Sequence, residues 1–220
     1  MPRIAVWDAP TRLFHWALAV LVVFSFVTGK VGGGWMEWHV KSGYTILALL
    51  AFRLAWGVVG SETARFTHFL AGPRTALAYG RALVSRRPIA VVGHNPLGGW
   101  MVAVMIALLC LQAGTGLFSD DDIATQGPLA AKVSEAWVGR LTAIHKWNEW
   151  AIVAAVTLHV SAIAFYQLAL RKDLIGPMLH GRMESDAAAP RAAPAVLAAV
   201  LFAIACGAVY WLVVVFPRAP

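Results

Sequence analysis

The chain has 220 residues, is 60% hydrophobic and 13% charged, and carries a formal charge of +7. A soluble domain holds about twice that share of charged residues, so the composition excludes a soluble enzyme and leaves no room for a second soluble domain. A basic balance also suits nucleic acid, but here the charges sit in short loops between apolar runs, which is the pattern of membrane orientation.

Five apolar runs are long enough to cross a bilayer core. In chain order they are Pro10 to Gly29, Trp38 to Gly60, Leu97 to Phe118, Leu141 to Leu170 and Pro194 to Phe216. The first has basic residues before it, as a signal peptide does. Its apolar run is long, however, and "VTGKVGGGW" offers no A-x-A-like cleavage site, so it reads as an anchor. The loop after the second run carries Arg65, Arg74, Arg81, Arg86 and Arg87, and the loop after the fourth carries Arg171, Lys172, Arg182 and Arg191. The loop after the third run holds "SDDD" and Glu135 against Lys132 and Arg140. The positive-inside rule then puts the N-terminus and the basic loops in the cytoplasm and the C-terminus outside. Cys110 and Cys206 each lie within an apolar run; they form neither a C-x-x-C-H attachment nor a four-ligand zinc site and read as small buried residues. The Ala- and Pro-rich stretch 181–193 separates a four-helix core, residues 1–180, from a fifth helix, residues 194–220. On that fifth helix Ala199, Ala203 and Gly207 recur every four residues, a spacing that admits close helix packing and also arises by chance in an Ala-rich segment.

Of seven histidines, His68, His94 and His180 lie in or beside the basic loops and carry no assigned ligand role. His15, His39, His145 and His159 fall inside or at the ends of the first, second and fourth runs. Counted from the outer ends, His39 and His145 are shallow, His15 lies about 22 Å deep, and His159 lies about 21 Å below His145. Fourteen steps of 100° fall about 40° short of four turns, so His145 and His159 share one face. Two facing imidazoles at each of two depths suit two bis-histidine haems, with pairs His39/His145 and His15/His159. Zinc or copper would need three or four ligands converging on one point. A proton relay would use carboxylates along one path. Arg53 follows His39 by fourteen residues and shares its face; a haem propionate and the cytoplasmic surface are equal candidates for its charge. Glu149, one turn after His145, reads as an interfacial carboxylate rather than a proton group for a quinol.

The stretches "VWDAPTRLFHW" (Val6 to Trp16), "HVKSGYTILALLAFRLAWGVVGSETARF" (His39 to Phe66), "GHNPLGGW" (Gly93 to Trp100) and the segment His145 to His159 occur in an order that resembles the prokaryotic cytochrome b561 family, near the b-type cytochrome subunits of membrane-bound nickel–iron hydrogenases. The resemblance covers most of Val6 to Arg182. It implies an all-α integral membrane four-helix bundle holding two haem b groups, ligated at the positions of His15, His39, His145 and His159. It also implies electron exchange between a membrane quinone and a partner redox protein. His94 lies in a shared motif without being a ligand; the resemblance leaves it to contact a propionate or cap the third run. The fifth run departs from the four-helix core and opens the question of a different partner.

These observations predict a diheme electron carrier in the bacterial inner membrane, passing electrons between the quinone pool and an outward-facing partner such as a hydrogenase or c-type cytochrome. Such a chain is an electron-transfer subunit more readily than a stand-alone enzyme. One alternative is a self-contained superoxide:quinone-type oxidoreductase, with Lys30 and Lys41 drawing the anion outside. A second, of another class, is a histidine-using ion or metal transporter, against which stands the lack of paired Gly- or Pro-broken helices.

Overall fold

The computed structural model describes residues 2–85 and 91–218; Arg86 and Arg87 of the basic loop lie outside the described residues. The chain is built from helices: α1 (Ala9–Val31), α2 (Met36–Val59), α3 (Phe66–Phe69), α4 (Pro73–Val84), α5 (Pro96–Gly116), α6 (Glu135–Leu168), α7 (Ile175–His180) and α8 (Ala195–Tyr210). Five are long and apolar enough to cross a membrane, and α8 continues through Trp211–Val215 and Phe216–Arg218 to reach that length. The expected spans are therefore present. The largest difference is α6, which starts six residues before Leu141. Its first turns, "EAWVGR", are too polar to register as an apolar run but still form helix. One short sheet was not expected: β1 (Arg3–Ala5) pairs antiparallel with β2 (Arg182–Glu184), Ile4 opposite Met183.

Two helix starts share one device. Asp8 Oδ1 accepts the Thr11 amide at 2.8 Å, with Pro10 in the first turn of α1. Asn95 Oδ1 accepts the Gly98 amide at 2.8 Å, with Pro96 as the first residue of α5. Each side chain satisfies an amide the helix cannot, and each proline sits where its missing N–H costs nothing. The stretches "WDAPT" and "HNPLG" are thus N-cap signals for two membrane helices. The α5 cap is Asn95, not His94.

The chain divides into two compact units. The first comprises Met1–Leu13, Leu54–Met105 and Ala155–Ala198. Its centre is Trp56, fully buried, whose indole N–H donates to Asp8 Oδ2 at 3.1 Å. Tyr79 and Tyr166 are buried with their hydroxyls 3.1 Å apart. The stretch after α6 is tied down here as well: Arg12 donates to the Leu179 carbonyl, the Arg191 amide to Glu62 Oε2 at 2.9 Å and the Ala193 amide to Ser61 Oγ at 2.9 Å. The Ala- and Pro-rich linker is therefore a pinned strap and not a free tether.

The second unit comprises Phe14–Arg53, Ile106–Ala154 and Ala199–Pro220. Leu50, Thr28 and Arg53 are among its most buried side chains. Trp35, Trp38, Trp137, Trp147 and Trp150 are exposed on it, the aromatic belt expected where helices leave the bilayer. In α8 the buried residues are Ala198, Ala205 and Val209, whereas Ala199, Ala203 and Gly207 are exposed, so the small-residue stripe is not what packs this helix.

Candidate haem-binding site

Within the second unit the structure brings His39 and His145 together: their ring centroids lie 6.1 Å apart with planes at 89°. His39 Nδ1 is 2.8 Å from the Ser25 carbonyl and 3.3 Å from Ser25 Oγ. His145 Nδ1 is 2.9 Å from the Gln112 carbonyl and 3.3 Å from Thr115 Oγ1. A carbonyl only accepts, so each Nδ1 carries the hydrogen and each Nε2 keeps its lone pair. Both rings are thereby fixed in the tautomer that ligates a metal through Nε2, with the other N–H donating to backbone. Two imidazoles sharing one iron place their ring centres about 6 Å apart, from about 2 Å for each iron–nitrogen bond and about 1 Å from nitrogen to ring centre. The observed separation fits a bis-histidine haem.

The supports of the two rings are duplicated, which the sequence reading missed. Thr28 Oγ1 donates back to the carbonyls of Phe24 (2.8 Å) and Ser25 (3.1 Å), and Thr115 Oγ1 to those of Leu111 (2.7 Å) and Gln112 (3.1 Å). The next residue is glycine in both cases. A Cβ on Gly29 would lie 2.8 Å from His39 Nδ1, and one on Gly116 would lie 3.0 Å from His145 Cε1. Each ring thus lies against a helix that lacks a side chain there and bonds the carbonyl four residues earlier. The signal was the dipeptide Thr-Gly, recurring at 28–29 and 115–116 in "SFVTG" and "QAGTG". Buried Asn148 fastens α6 beside His145, donating to the Leu108 carbonyl (2.9 Å) and Gln112 Oε1 (2.8 Å), while Gln112 Nε2 donates to the His145 carbonyl at 3.1 Å.

His15 and Arg53 belong to the same unit, and half-buried His159 to the other, on α6. His15 stacks edge-on with Trp16 at 4.9 Å. Arg53 is 2% exposed, so it does not snorkel to the surface, and its guanidinium lies 6.0 Å from the Phe14 ring, one residue before His15. Glu149 is ion-paired with Lys30, whose ammonium also lies 5.2 Å from the Trp150 ring centre. His94 packs between Trp7 (4.6 Å) and Phe69 (4.8 Å). His68 stands 3.8 Å from Glu62, and His180 Nδ1 accepts the Arg182 amide.

Carbonyl-locked imidazoles facing each other on apolar, membrane-length helices define a class: membrane proteins that hold haem between helices. The family profile described as prokaryotic cytochrome b561 matches residues 6–181, and the chain belongs to that family of b-type cytochromes, membrane helical bundles that carry haem b and transport electrons. It is similar to a probable Ni/Fe-hydrogenase B-type cytochrome subunit of Azotobacter chroococcum mcd 1, 27% identical, over 82% of this chain and 89% of that protein. Proteins of the same description from Bradyrhizobium diazoefficiens (23% identical; 83% and 87% covered) and Escherichia coli K12, there a hydrogenase 1 subunit (26%; 77% and 83%), are also similar. No solved structure matches the chain.

Proposed function

We propose that this chain is a diheme electron-transfer subunit of the bacterial inner membrane, passing electrons between the quinone pool and an outward-facing redox protein, with a nickel–iron hydrogenase as the partner its relatives' names point to. In this reading His39 and His145 ligate one haem b, His15 and His159 ligate the second, and Arg53 neutralises a propionate. The N-terminus and basic loops are cytoplasmic and the C-terminus is outside. The observation that carries the reading is the His39/His145 pair, 6.1 Å apart with both Nδ1 atoms committed to carbonyls.

Haem iron, when bound, supplies reversible one-electron transfer. The chain's own residues set the conditions for it. Ser25 and Gln112 accept the Nδ1 hydrogens and hold the imidazoles oriented, so little rearrangement accompanies a change of charge between them. Buried Arg53 supplies a fixed positive charge in apolar surroundings, where it favours an anionic group such as a carboxylate. Lys30 and Lys41 are paired with Glu149 and Glu37, so neither offers an uncompensated charge for capturing superoxide. This weighs toward a protein partner. Membership of a haem-b family answers the transporter alternative.

The test is haem stoichiometry with its ligand dependence. Purified protein is expected to hold two haems per chain and to show the sharp α-band of low-spin iron on reduction. His39→Ala or His145→Ala should remove one haem, and His15→Ala or His159→Ala the other. No haem after expression with ample supply would sink the reading. Loss of both haems from one substitution in folded protein would overturn the pairing.

A further inference from the structure

Helix α4 connects two spans and has three distinct faces. Ala76 and Tyr79 are buried. Arg74, Leu77, Arg81 and Val84 follow one another at intervals of three or four residues and form a single exposed stripe, the two arginines along one edge and the two apolar side chains along the other. Leu77 is 57% exposed and Val84 86%. Among the described residues, neither Arg74 nor Arg81 forms an ion pair. The contacts of α4 fix its level. Tyr79 meets Tyr166, two residues from the end of α6, and Trp100, in the first turns of α5, donates its indole N–H to the carbonyl of Ala71, two residues before α4 begins. Helix α4 is thus fastened to the ends of two membrane-spanning helices, at the height where hydrocarbon gives way to headgroups. Leu70, Leu97 and Trp100 are exposed at the same level.

We propose that α4 is an interfacial docking surface for anionic phospholipid headgroups, with Leu77 and Val84 entering the acyl boundary while Arg74 and Arg81 bind lipid phosphates. Water is a poor cover for a stripe with two such exposed aliphatic side chains, and acyl chains are a good one. The two cations beside it have their complement in the negative surface of a cytoplasmic leaflet, and a guanidinium suits a phosphate through paired N–H donors. The inference rests on the membrane-spanning fold and on the proposed cytoplasmic placement of the basic loops, and not on the haem assignment. Its consequence is that lipid charge holds the connection between α2 and α5 in place.

The experiment uses the full-length haem-loaded protein in nanodiscs of phosphatidylcholine mixed with phosphatidylglycerol, with retained lipids counted by native mass spectrometry. Wild type should retain phosphatidylglycerol in preference. Arg74→Gln/Arg81→Gln should lose the preference at about five-fold per arginine, and Arg74→Lys/Arg81→Lys should keep part of it. A fluorophore on Leu77→Cys, in a chain with Cys110 and Cys206 replaced by alanine, should be quenched by nitroxide lipids and shielded from aqueous iodide. An unchanged lipid preference in the Gln variant, with the absorbance spectrum intact, overturns the proposal. So does a label open to iodide, which would assign the surface to a soluble protein.

Discussion

Gly29 and Gly116 decide how closely an imidazole can approach the helix next to it. A Cβ on Gly29 would stand 2.8 Å from the His39 ring, closer than real Cβ atoms come, and one on Gly116 3.0 Å from the His145 ring, so a side chain at either position must push the ring away from its carbonyl. Gly29→Val or Gly116→Val is expected to cost about 1–3 kcal/mol through overpacking and, on the proposed two-haem reading, to halve the haem content while the other site stays loaded. Gly114→Ala, on the same helix as Gly116 but with nothing within 4 Å of its Cβ, should keep the full complement. Visible spectra and haem-to-protein ratios check all three; full occupancy in the valine variants would remove the glycines from the site. The contrast between the histidines and the glycines also shows what a sequence displays. His39 and His145 were legible because imidazole is conspicuous in an apolar run and helical rise converts numbering into depth. Ser25, Gln112, Gly29 and Gly116 were not, because they act through carbonyl oxygens and through the lack of a side chain. A carbonyl belongs to every residue and glycine serves many ends, so only the repeated Thr-Gly pair marked them.

At the scale of elements, hydropathy located five helices because only a closed backbone ladder is tolerated in lipid. It misplaced the start of α6 because the first turns of that helix are polar, and it could not register β1 and β2, whose three-residue pairing depends on a partner some 180 residues away. The acidic loop hid a further element. Asp121 Oδ1 accepts the amides of Ile123, Ala124 and Thr125 at 3.0, 2.9 and 2.8 Å, folding "SDDD" into a compact turn. These bonds, that of Thr125 foremost, hold the Asp121 carboxyl down to about 2 against an ordinary 3.8. A lowered carboxyl contributes stability above its unfolded value and loses it as pH falls through the folded one. Asp121→Ala is therefore expected to lower Tm by a few degrees at pH 6, in line with the loss of a capping carboxylate, and to match wild type as pH approaches 2. Thermal melts followed by circular dichroism across that range check it; a deficit that persists undiminished at pH 2 would mean the carboxylate's charge is not what holds the turn.

At the scale of the whole molecule, the question is what the fifth span adds. The family match ends at residue 181, and α8 follows a strap that Glu62 and Ser61 pin through Arg191 and Ala193. Only three α8 residues are buried. Its clearest ring contact is Phe202 edge-on to Phe52 at 5.9 Å, next to Arg53. In water, losing such a contact would expose Phe52. In a bilayer, acyl chains replace the lost partner at little cost, because lipid is as apolar as the helix that leaves. A chain truncated after Pro194 keeps the pinned strap and is expected to retain its haem content and its reduced α-band, with Tm lower by at most a few degrees, since an aromatic pair contributes about 0.5–1.5 kcal/mol beyond its area. Haem-to-protein ratio and melting of the truncated chain in nanodiscs decide it. Retained haem makes α8 an addition to a self-sufficient haem-holding core, and its exposed outer face then becomes the place where this protein differs from the four-helix pattern of its family. Lost haem would mean that Phe202, by covering Phe52, keeps Arg53 and the histidine beyond it in position, and the core would have to be redrawn to include all five spans.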